Sequence, residues 1–143
     1  NIKAALIERD PKNEEFYLRN AADLIVRLND LHRANQEKFS NLSSKSFFIY
    51  HPAWGYFAAD YGLKQVVIEQ EGKEPSARDL SRILRQAKEQ NIKTIFVEPQ
   101  YSQRSARVMA QEIGADIVVV DPLAKNYIQN FQKVVDAFVR SAQ

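Results

Sequence analysis

His51, Glu98 and Asp121 are each followed directly by a proline, in His51-Pro52, Glu98-Pro99 and Asp121-Pro122, and each comes at the end of a short apolar run. A proline there stops a strand ladder and keeps the residue before it extended, so these side chains are expected at strand ends. Glu69 or Gln70 closes a further run in the same way. An imidazole and carboxylates on one rim are the donors of a divalent-cation site, or the acid and base of an enzyme.

Each of these residues also has a local role to fill. Asp121 before Pro122 repeats Asp10 before Pro11, and on spacing alone a helix cap is the expected function. Glu98 is expected to accept hydrogen bonds from loop amides in Glu98-Pro99-Gln100. If a helix begins at Pro52, its positive end lies beside His51 and favours the neutral imidazole that binds metals. Trp54, Phe57 and Tyr61, at steps of three and four, read as core packing rather than a cofactor stack. Ser76 with Asp79 reads as a helix start of capping-box type, and His32 as a solvated or partly packed residue of a long helix. The chain contains no G-x-G-x-x-G after its first strand, no G-x-x-x-x-G-K-[ST] and no G-x-S-x-G. An enzyme using His51 and Asp121 as general base and orienter lacks an evident nucleophile or oxyanion hole.

The elements that position this rim follow from periodicity. Phe47–Tyr50, Gln65–Glu69, Thr94–Val97 and Ile117–Val120 are continuous apolar runs, the pattern of parallel strands buried on both faces. Helical stretches near 53–61, 77–90, 103–113 and 126–141 alternate with them, which predicts a small α/β fold: a four-stranded parallel sheet of order 2-1-3-4 with helices on both faces. Ligands of such sheets bind at the carboxyl ends of the strands. Ahead of the sheet, Asn13 to about Phe39 lacks glycine and proline and carries Tyr17, Ala21, Leu24, Leu28 and Leu31 on one helical stripe. Asp10 and Pro11 are expected as N-cap and first helical position, with Ile2–Arg9 as the end of another helix. The predicted division is a linking-helix region, 1–42, and an α/β lobe, 43–143.

Composition bounds the class of protein. The chain has 143 residues, 45% of them hydrophobic, with 20 Lys and Arg against 18 Asp and Glu. A net charge of +2 spread along helical faces does not call for nucleic acid. No apolar run approaches the roughly 20 residues that cross a bilayer, so the expectation is a soluble chain. Cysteine is absent, which removes thiolate catalysis and cysteine-ligated zinc. The first residue is Asn1 and the sole methionine is Met109, so a segment upstream is expected to be missing.

Over nearly its whole length the chain resembles the C-terminal lobe of the cluster A-I metal-binding proteins that deliver zinc or manganese to bacterial ABC importers. The resemblance is carried by His51-Pro52-Ala53-Trp54-Gly55-Tyr56-Phe57 with Tyr61-Gly62-Leu63, Glu71-Gly72-Lys73-Glu74-Pro75-Ser76, Ile95-Phe96-Val97-Glu98-Pro99-Gln100 and Asp121-Pro122-Leu123. Asp10-Pro11-Lys12-Asn13 and the helix after it resemble the rigid helix that joins the two lobes of that family. The resemblance implies a periplasmic or surface-anchored solute-binding protein that captures zinc and presents it to an ABC permease, without catalysis. His51 matches the third metal ligand, characteristically histidine in zinc proteins and glutamate in many manganese proteins. Asp121 matches the fourth, a carboxylate that some zinc members replace. The chain has no counterpart of the family's N-terminal lobe with its two histidines, and so is expected to bind zinc weakly alone and to risk self-association through its uncovered inner face. The alternatives are a manganese- or iron-binding relative or adhesin of the same family, and a small α/β enzyme using the same rim.

Overall fold

The four apolar runs fold into the strands β1 (Ser46–Ile49), β2 (Lys64–Val67), β3 (Thr94–Val97) and β4 (Asp116–Val119) in a computed structural model that describes residues 1–142. All pairings are parallel and the order is β2-β1-β3-β4, as the alternation of strands and helices predicted. The helices are α1 (Ile2–Arg9), α2 (Glu14–Ser40), α3 (Gly55–Asp60), α4 (Ala77–Glu89), α5 (Arg104–Ile113) and α6 (Tyr127–Ser141).

Side chains alternate across a strand, and the core divides accordingly. Phe47, Ile49 and Phe96 face one way and pack with Phe39, Trp54 and Phe57 and with Val134, Val135 and Phe138 of α6. Phe48, Tyr50, Ile95 and Val97 face the other way and pack with Ile83 and Ala87 of α4 and with Ala106, Met109 and Ala110 of α5. Phe138 is the centre of the first cluster, its ring 4.3 Å from that of Phe96 and 4.5 Å from that of Phe47. Burial on both faces holds for the central strands β1 and β3 but not for the outer two. In β4, Ile117 and Val118 are half-buried and Val119 is 55% exposed, because an edge strand has a neighbour on one side only.

Three helices return the chain to the sheet by one device. A residue in the left-handed region ends each helix: Gly62 after α3, Asn91 after α4 and Gly114 after α5, with φ of 63°, 51° and 66°. The next amide then reaches back to the last turn, Leu63 to Ala58 O, Ile92 to Ala87 O and Ala115 to Ala110 O, which satisfies carbonyls that a helix end leaves open. The start of α4 also follows its sequence: the Asp79 amide donates to Ser76 Oγ at 3.2 Å, and the Ser76 hydroxyl donates to Asp79 Oδ2.

By its contacts the chain forms two compact units, residues 1–37 and residue 38 onward. In the first, α1 leads through a 3-10 turn, Pro11–Asn13, into α2. Asp10 stands at the N-cap position of that turn, yet its carboxylate accepts from side chains, Asn13 Nδ2 at 2.7 Å and the Tyr17 hydroxyl at 2.9 Å, and not from a backbone amide. These two bonds, Asn13's first, hold the Asp10 carboxyl below its usual range. The stripe expected along α2 is visible: Tyr17, Ala21, Leu28 and Leu31 are half-buried, whereas Leu24 is exposed.

Candidate functional site

The ladders run one or two residues beyond the strands and so fix where the rim begins. The Tyr50 amide bonds to Phe96 O at 3.0 Å, Glu69 to Tyr50 O at 3.1 Å and Val120 to Val97 O at 2.9 Å. His51, Glu69, Glu98 and Asp121 therefore come at the carboxyl edge of the sheet, two of them from its central strands.

The helix after His51 is shorter than expected. It begins at Gly55, and residues 51–54 form a turn in which the Ala53 amide bonds to His51 O at 2.9 Å. The Trp54 amide at the helix start is capped from outside by Gln65 Oε1 at 3.1 Å. The helix therefore starts four residues past His51 and not directly beside it, and the imidazole has a direct partner instead. That partner is Glu69, whose Oε1 lies 2.8 Å from His51 Nδ1 and whose side chain is 4% exposed. A carboxylate can only accept, so Nδ1 carries a proton, and in the neutral form of the ring the lone pair lies at Nε2. The Tyr101 hydroxyl meets Nε2 at 2.8 Å, and the two rings stack with centroids 3.9 Å apart at 20°.

Glu98 is fully buried. It accepts from the His51 amide, at 3.2 Å to Oε2, a partner across the sheet edge that the sequence did not suggest. Its Oε1 has no hydrogen-bond partner among the described residues. Burial pushes the Glu98 carboxyl up to about 7, opposed by the His51 amide and by the charge of His51. Tyr50, directly before His51, is pushed up to about 12, first by burial and then by the negative Glu74. Glu74 accepts from the hydroxyl of Ser105, which fastens the segment after β2 to the start of α5 and so backs the loop that carries Tyr101.

Asp121 does not cap a helix. Its Oδ1 accepts the Leu123 amide at 3.0 Å and Gln100 Nε2 at 2.7 Å, closing a turn well before α6. Nor is it the orienter of His51, a role that Glu69 fills. The structure brings both candidate ligands to one loop: Gln100 binds Asp121 and its neighbour Tyr101 binds His51. Among the described residues no group of three or more His, Cys, Asp or Glu side chains is placed to hold a metal ion. Trp54 and Phe57 are buried and Tyr61 is half-buried against them, the packing role expected of that stripe.

Sequence reasoning left Glu69 without a role and passed over Tyr101 and the side chain of Gln100. The available signal was topological: once β1 lies between β2 and β3, the residues that follow those two strands must flank His51.

The family described as zinc-uptake complex component A, periplasmic (ZnuA), matches residues 1–141. The chain is 38% identical over 125 residues to the high-affinity zinc uptake system protein ZnuA of Bacillus subtilis (strain 168), covering 86% of this chain and 39% of that protein. It thus spans about two fifths of the length of that relative. A crystal structure of ZnuA superposes with a TM-score of 0.97 at 37% identity, over 99% of this chain and 54% of that one. The laminin-binding protein Lbp of Streptococcus pyogenes superposes with a TM-score of 0.90 at 31% identity, over 99% of this chain and 59% of that one.

Proposed function

This chain belongs to the ZnuA family of periplasmic zinc-uptake components, and from that premise we propose that it is the C-terminal, zinc-facing lobe of an extracytoplasmic solute-binding protein. Zinc is its cargo, and an ABC permease and an N-terminal lobe are its partners. Residues up to about 42 serve as the linking helix and the remainder as the lobe. The protein does no chemistry on what it carries.

The observation that carries this reading is the His51–Glu69 pair at the carboxyl edge of the sheet. A metal-ligating imidazole is oriented by an acceptor on its other nitrogen, and Glu69 Oε1 at 2.8 Å supplies one. With Nδ1 so engaged, Nε2 is the ligating atom. In this reading Asp121 completes the lobe's contribution through an oxygen of its carboxylate, and Glu69, held below the surface, orients without ligating. An imidazole donor favours zinc over manganese, which prefers oxygen-rich sets.

Calorimetric zinc titration of the full-length protein and its His51→Ala variant tests the assignment. An outer partner of a metal ligand is itself worth about 10- to 100-fold in affinity, so losing the ligand should cost at least about 100-fold. An unchanged affinity would remove His51 from the site. Turnover of any substrate that persists after chelation would favour the enzyme reading instead.

A further inference from the structure

Both nitrogens of the His51 ring are engaged, Nδ1 by Glu69 and Nε2 by the Tyr101 hydroxyl, each at 2.8 Å. The Nε2 lone pair serves one partner at a time, so a cation bound there and the Tyr101 hydrogen bond exclude each other. Resting on the reading of His51 as a zinc ligand, we propose that Tyr101 is a latch that closes His51 in the metal-free protein and must release it before zinc binds.

Its position fits that role. Tyr101 is held over the imidazole by ring stacking at 3.9 Å and by its own amide, which bonds to Glu98 O at 3.3 Å. It is 38% exposed, so a freed hydroxyl has water to turn to. The preceding residue, Gln100, donates to Asp121 Oδ1 at 2.7 Å, an oxygen that also accepts the Leu123 amide. One loop thus occupies donor atoms of both candidate ligands. A residue that only supported the bound histidine would have no reason to cover the ligating nitrogen. The latch disfavours the open ring and so lowers the affinity for zinc.

Tyr101→Phe keeps the stacked ring and removes only the competing donor. A hydrogen bond of this kind contributes about 0.5–1.5 kcal/mol net, so the full-length Tyr101→Phe protein should bind zinc roughly two- to tenfold more tightly in a chelator-competition titration. In the metal-free protein, long-range imidazole 1H–15N spectra should show the His51 Nε2 resonance moving toward that of an unbonded lone pair while Nδ1 stays protonated, a change that a purely structural role would not produce. Unchanged or weaker zinc affinity in Tyr101→Phe, with His51→Ala still losing zinc, would overturn the latch and leave the ligand assignment standing. Unchanged affinity in His51→Ala would overturn both.

Discussion

Glu98 is a carboxyl group sealed in the fold with one oxygen unanswered, and its proton is part of the folded state. In an unfolded chain it ionises near its ordinary value of 4.5, whereas in the fold it holds its proton to about 7. Between those limits the native state binds more protons than the unfolded one, so stability falls as pH rises from about 4.5 to 7 and levels off above. The contribution is on the order of 3 kcal/mol. Denaturant titrations of the metal-free protein at pH 5 and pH 8 should therefore differ by less in Glu98→Gln than in the native sequence; an equal difference would assign the proton elsewhere. Glu69 acts on the ring instead. Glu69→Gln should weaken zinc binding by about 10- to 100-fold with the fold intact, measured by calorimetry beside circular dichroism. Of this site, His51, Asp121 and Glu98 were legible because a proline after an apolar run marks the end of a strand. Their contacts were not: Glu69 and Tyr101 lie 18 and 50 residues from His51, and the strand order decides which loops become neighbours.

At the scale of elements, the strands and long helices were readable because continuous apolar runs and a 3.6-residue stripe leave few alternatives. The start of α3 was not, since its first amide is capped by Gln65, from the following strand, and no residue near Pro52 announces that bond. Helix ends were read to within a residue, but the left-handed residues that close them were not singled out, although Gly114 shows how much they carry. Its φ of 66° suits glycine, and a Cβ there would meet no atom within 4 Å, so Gly114→Ala isolates backbone strain from packing. It should lower stability by about 1–2 kcal/mol, read as a shift in denaturation midpoint without a change in slope. Phe138→Ala removes the ring against which Phe47, Trp54, Phe57 and Phe96 lie and should cost about 3–5 kcal/mol, with the greatest loss of amide protection in β1 and β3.

For the molecule as a whole, the described residues hold no complete metal cluster, while the relative from Bacillus subtilis is matched over 39% of its length. Under the proposed reading, a saturating zinc concentration should raise the melting temperature of the full-length protein and barely move that of this chain alone, because stabilisation follows ligand concentration relative to Kd. Equal shifts would place the whole site within these residues. The sheet order has a further consequence, in time rather than in space. His51 follows a central strand, and its partners arrive from both sides: Glu69 behind β2, Glu98 and Tyr101 behind β3. Joining three parallel strands means closing loops of tens of residues, the slow kind of contact in folding. The imidazole therefore gains its surroundings only once all three strands are in register, and its resonances mark the moment at which a newly folding chain becomes able to recognise a metal.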